Sequence, residues 1–138
     1  MKIHLNKNQN ILFNMNFNSD FKFDLQFGQL GEQLFYDLIS NKKIEVKRDK
    51  WIGITGNIAI EYESRNKPSG IATSEADYWC FIFSGNLEDK IFLIIEINKL
   101  KEIARKYYKL GQIKLIGDND TSKAILIPLK EIINNESK

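Results

Sequence analysis

Apolar and polar positions change period several times along the chain, and each change marks an element. Residues 42–64, KKIEVKRDKWIGITGNIAIEYES, alternate at a spacing of two on both sides of a glycine-containing segment. Strand side chains point to opposite faces in turn. Ile44, Val46 and Arg48 therefore share one side of the first run, and Glu45, Lys47 and Asp49 the other. The second run puts Ile58, Ile60 and Tyr62 on one side and Ala59, Glu61 and Glu63 on the other. With WIGITG as the connection, the pattern predicts a β-hairpin. Aligning its aliphatic faces aligns the charged ones, gathering the carboxylates of Glu45, Asp49, Glu61 and Glu63 around Lys47.

The remaining elements follow from the same reading. Residues 1–23 form an Asn-rich arm, in which FNMNFNSDFKFDL alternates as a strand or partly ordered segment would. FGQLGEQLFYDLIS has helical spacing, with Leu30, Leu34, Phe35, Leu38 and Ile39 on its apolar face, Glu32 on the flank of that face and Asp24 as an N-terminal cap. RNKPSGIATSEA is a polar loop turning at Pro68 and Gly70. DYWCFIFSG is a central strand covered on both faces, and NLEDK turns the chain into a further strand, IFLIIEI. Asn98 caps a helix whose apolar face is Leu100, Ile103, Ala104, Tyr107 and Tyr108 and which ends at Gly111. QIKLIG and KAILIP pair around DNDT, Pro128 opens a short helix, and residues 135–138 fray. The fold class is α+β, a mixed three-layer single domain over residues 24–134.

Composition narrows the function only slightly. The chain has 138 residues, 43% hydrophobic and 28% charged, with a formal charge of +2. That balance is compatible with a nucleic-acid partner and does not require one. Cys80, the single cysteine, excludes an intrachain disulfide and reads as a small buried hydrophobe. His4, the single histidine, has no positioned partner in its Asn-rich surroundings. No apolar run approaches the ~20 residues of a membrane helix, and the first residues lack a signal-peptide pattern. A soluble cytoplasmic protein, without a membrane partner, is expected.

Two explanations fit the charged hairpin. One is a solvated sheet face, which many antiparallel sheets have. The other is a divalent-cation site, because clustered carboxylates repel one another unless a hard cation sits among them. The helices before and after the sheet, and Glu32 on the first of them, lean toward the cation.

Four blocks in order carry a family likeness: GE within a helix, EVKRD, TGNIAIE, and KPSGIATSEADYW. From about Asp24 to Trp79 the chain resembles small phage- and bacterial-type nucleases of the PD-(D/E)XK superfamily, which are grouped with restriction endonuclease-like and Holliday junction resolvase-like proteins. The resemblance implies an αβββαβ core with a central mixed sheet flanked by helices, and hydrolysis of DNA phosphodiesters dependent on Mg²⁺ or Mn²⁺. Glu32 matches the helix acid, acting through a metal-bound water, and Asp49 and Glu61 match the acids of adjacent strands. Glu45 or Glu63 would complete the metal ligands. Where the family has a lysine two residues after the strand acid, this chain has Glu63, so Lys47 would supply the ammonium. A second alignment makes Glu45-Val46-Lys47 the Glu-x-Lys itself, leaving its upstream Asp without a clear strand. Relatives that cut two strands often do so as homodimers, although no dimer surface is identifiable in the sequence.

Cations outside the hairpin suggest a DNA track. Arg65, Lys67 and Ser69 are candidate phosphate contacts, with Gly70 letting the backbone come close. Arg105 and Lys106, with Lys99, Lys101 and Lys109, form either a solvated helix face or a phosphate-tracking one. Asp77 and Tyr78 are expected to anchor the loop before the central strand, and Trp79 to lie in the core. The rival to a nuclease is an inactive relative that binds DNA or protein through the same sheet.

Overall fold

The computed structural model describes residues 21–134. His4 and most of the expected N-terminal arm lie outside these residues, as does the expected C-terminal fraying. The chain divides into two compact units, residues 1–42 and 43–138. The first helix of the expected 24–134 domain falls in the first of these units.

In the first unit, helix α1 spans Phe21–Asn41. It begins earlier than its apolar spacing predicts, and Asp24 lies inside its first turn, where a negative charge complements the helix dipole. Asp37 is buried and accepts from Asn41 Nδ2 at 2.8 Å, one turn further on. Leu34, Phe35 and Ile39, expected on a buried face, are exposed.

The second unit is α+β and holds two sheets. Strands β1 (Ile44–Asp49), β4 (Tyr78–Phe83) and β5 (Ile91–Glu96) form one, ordered β1-β4-β5. β1 runs parallel to β4, and β5 antiparallel to it. Strands β2 (Asn57–Ser64), β3 (Lys67–Pro68), β6 (Ile113–Ile116) and β7 (Ser122–Pro128) form an antiparallel sheet ordered β3-β2-β7-β6. Helix α3 (Ile97–Lys109) follows β5, and the short helix α4 (Leu129–Ile133) follows Pro128. No helix among the described residues is long and apolar enough to cross a membrane.

The expected hairpin does not form: β1 and β2 belong to different sheets. The reason is local. WIGITG is not a hairpin loop but contains a one-turn helix, α2 (Ile52–Thr55), closed by Gly56 at φ 69°. Asp49 Oδ1 accepts from the N–H groups of Trp51 (2.8 Å) and Ile52 (3.1 Å), so β1 ends in an Asx turn that leads into α2 rather than in a hairpin reversal. Ile52 is buried, and a Cβ on Gly53 would lie 2.0 Å from Asn86 Oδ1. The apolar β4 instead takes β1 on one edge and β5 on the other, as a strand covered on both faces does. Asp77 starts that parallel pair: its Oδ2 accepts from Lys43 N–H and its own N–H donates to Lys43 O, both at 2.8 Å. The anchoring role expected of Asp77 is thus present.

The core joins Ile58, Ile60, Ile125 and Ile127 of the second sheet to Leu100, Ile103, Ala104 and Tyr107 of α3 and to Trp79 and Phe81 of the first sheet. Each fully buried Ile or Leu contributes roughly 1.5–3 kcal/mol. α3 keeps its expected apolar face except at Tyr108, which is half exposed and meets Tyr62 edge-on, with ring centroids 5.4 Å apart. Its cap is Glu96 rather than Asn98, the carboxylate accepting from Lys99 N–H at 2.9 Å. Gly111, at φ 74°, ends it as predicted.

Candidate functional site

β1 carries Glu45, Lys47 and Asp49 on the side facing an open cleft of about 1190 Å³. β2 lines the same cleft with Ala59 and Glu61, and the β6 side contributes Lys114 and Leu115. Two sheets thus deliver what the hairpin was expected to deliver, with one exception. The β2–β7 register shifts between Glu61 and Glu63, so that Glu61 pairs with Ala124 but Glu63 with Lys123. This bulge carries Glu63 to the opposite face, where Lys123 Nζ meets it at 3.0 Å. Glu63 is therefore not a ligand in the cleft, and the expected fourfold carboxylate cluster does not form.

Glu45, Asp49 and Glu61 each have a protein partner. Glu45 Oε1 lies 2.6 Å from Lys47 Nζ, and Glu45 Oε2 accepts from Ser74 Oγ at 2.7 Å. Ser74 Oγ in turn accepts from Trp79 Nε1 at 3.0 Å, which ties the pair to a buried core residue. Burial pushes the Glu45 carboxyl up, but the hydrogen bonds from Lys47 and Ser74 outweigh it and hold the group below its ordinary value of 4.5. Lys47 Nζ also stands 4.9 Å from the Trp79 ring centroid. Lys47 is thus a held ammonium, not a free one. Trp79 lies in the core, as expected.

Asp49 uses Oδ1 to close the turn into α2, and Glu61 Oε1 accepts from Ser69 Oγ at 2.7 Å. Among the described residues no group of three or more His, Cys, Asp or Glu side chains is placed to hold a metal ion. Mg²⁺ takes one or two carboxylates and completes its shell with water and substrate phosphate. Asp49 and Glu61 line one cleft, and neither Asp49 Oδ2 nor Glu61 Oε2 is engaged by a hydrogen bond from the described residues. Glu45, paired with Lys47, is a poorer ligand than the resemblance implied.

The other predicted residues are dispersed. Glu32 is exposed on α1, in the first unit. Arg65 is exposed at the β2–β3 turn with φ 51°, followed by Asn66 at φ 63°, so both serve a tight reversal. Lys67 is exposed on β3, and Ser69 faces Glu61 rather than solvent. Gly70 does permit a close approach, but to the protein's own backbone: a Cβ there would lie 2.1 Å from Glu61 O. Arg105 and Lys106 are exposed on α3, and neither lines the cleft. Arg105 instead borders a smaller pocket of about 270 Å³ with Tyr62 and Ile125, on the far face of the second sheet.

Lys50, Trp51, Ser74 and Lys114 line the cleft without having been singled out by sequence pattern. The one signal for Trp51 was its position, two residues after Asp49 and beside Lys50, inside a segment that reads as a loop. No protein-family model, no curated protein and no solved structure matches the chain.

Proposed function

We propose that the cleft between the two sheets is the active site of a metal-dependent deoxyribonuclease of the PD-(D/E)XK type. The observation that supports this most is that Asp49 and Glu61, matched on block order alone, line one cleft although they belong to different sheets. Asp49 and Glu61 would hold Mg²⁺ or Mn²⁺, which supplies the Lewis acidity that polarises a scissile phosphate and activates water. Lys47, held in place by Glu45, presents its ammonium toward charge developing on the phosphate. The cleft exceeds the ~300–1,000 Å³ of small-molecule sites and stands open, which suits a polymer.

The test is incubation with linear, nicked and branched DNA in Mg²⁺, Mn²⁺ or EDTA. Cleavage should need the cation and be lost, at least a hundredfold, in Asp49→Asn and in Glu61→Gln. Asn closes an Asx turn as Asp does, so the first variant removes charge while keeping the turn into α2 in place. Cleavage at the original rate by both variants refutes the assignment.

A second reading is an inactive relative that binds DNA through the same cleft. It is favoured by the capture of Lys47 by Glu45 and by the lack of a three-ligand metal group among the described residues. Binding with no cleavage of any substrate in either cation selects it.

A further inference from the structure

We propose that Trp51 is a stacking platform for an unpaired base, so that the cleft takes single-stranded or locally opened DNA in preference to continuous duplex. The inference rests on the nucleic-acid reading above and names its substrate class. Trp51 lines the cleft and is 58% exposed, so its ring is open to a ligand there. It is nevertheless held. Its N–H is bound by Asp49 Oδ1, the next residue, Ile52, is buried, and Gly53 closes against Asn86. A ring presented on a pinned turn loses little freedom when it captures a flat ligand.

Charge at the same place points to a phosphate-bearing ligand. Lys50 Nζ sits 5.2 Å from the Trp51 ring centroid, and Lys114 lines the cleft as well. Neither lysine has an ion-pair partner among the described residues, unlike Lys47, Arg48 and Lys123. An exposed indole with one ammonium over a face of its ring, in a cleft that holds a second, is a combination by which proteins bind single strands, bases on the open face of the ring and phosphates on the cations. A continuous duplex buries its base faces in its own stack and offers this ring nothing flat to receive. Trp51 follows Asp49 by two residues, so a base on the ring fixes the strand beside the proposed catalytic carboxylate.

The test is binding in EDTA, where no cleavage intervenes, using the full chain with oligo-dT and with duplex of the same length. Oligo-dT should bind more tightly than duplex and quench the exposed tryptophan. Trp51→Ala should weaken oligo-dT binding about tenfold or more, in line with ring removal elsewhere, and Trp51→Phe should weaken it less. Phe92→Ala, which removes an exposed ring of β5 that does not line the cleft, should leave binding unchanged. Unchanged affinity in Trp51→Ala, duplex binding as tight as single-strand binding, or no oligo-dT binding each overturns the inference. Mg²⁺-dependent cleavage of duplex persisting alongside any of these results leaves the nuclease reading standing and removes only the stacking role. Absence of cleavage with Trp51-dependent binding intact does the reverse.

Discussion

Gly70→Ala puts the packing beneath the cleft to a quantitative test. Gly70 has φ 54°, and an added Cβ would stand 2.1 Å from Glu61 O, 2.8 Å from Glu61 C and 3.1 Å from Glu61 Cβ. Two costs add. Holding a residue with a side chain in the left-handed region costs roughly 1–2 kcal/mol. Forcing extra volume into a closed contact costs roughly 1–3 kcal/mol more, and here the obstacle is backbone, which cannot rotate away. The total expected loss is about 2–5 kcal/mol. Gly111→Ala is the matched control: φ is 74° but nothing lies within 4 Å of the added Cβ, so only the strain applies. Urea unfolding followed by tryptophan fluorescence reads both, because Trp51 and Trp79 both belong to the second unit. Gly70→Ala should be the more damaging by at least about 1 kcal/mol, with an unchanged m-value. Equal losses in the two variants would show that the turn after Ser69 does not close on β2 as described.

Two further outcomes test the network under Lys47. Ser74→Ala leaves Glu45 Oε2 and the Trp79 indole N–H without their shared partner, and should cost about 1–3 kcal/mol in the same unfolding assay; a loss below about 0.3 kcal/mol would make that hydroxyl a bystander. Glu45→Gln addresses pH. Folding lowers the Glu45 pKa, so its charged form stabilises the fold fully above the ordinary value of 4.5, and the benefit disappears as pH falls through the lower folded value. The stability gap between the original protein and Glu45→Gln should therefore be constant near neutrality and close in acid below 4.5. A gap that widens on acidification contradicts the direction.

What the sequence made legible were the elements whose signal is internal to them. The apolar run Tyr78–Phe83, the face Leu100, Ile103, Ala104 and Tyr107, the stop at Gly111 and the β6–β7 pair are all present because period and terminator agree within a few residues. Partner choice was not legible. Nothing in the alternation of Ile44–Asp49 distinguishes a hairpin mate from a parallel neighbour beyond a long crossover, and the decisive fact, the Asx turn by which Asp49 leads WIGITG into a turn of helix, is a contact between side chain and backbone. Asp49, Glu61 and Lys47 were found at the cleft for a reason independent of the pairing that suggested them: either pairing presents the same residues of each strand. Glu63 failed because its place depended on unbroken alternation, and one extra residue breaks it. Trp51 and Ser74 went unnoticed because their roles exist only once the two sheets and the turn after β1 are assembled.

That extra residue has a wider consequence. A strand tells its two sides apart by odd and even positions, and the bulge between Glu61 and Glu63 advances the count by one. Before it, Asn57, Ala59 and Glu61 address the cleft; after it, the cleft side passes to Ser64, which receives the Ser122 hydroxyl at 2.9 Å, while Glu63 addresses Lys123. A single strand thus serves two surfaces with opposite parity, and two acids two positions apart are free to change independently. Substitution tolerance along β2 should accordingly switch phase at Tyr62, with odd numbers before it and the even-numbered Ser64 after it on one side of the sheet.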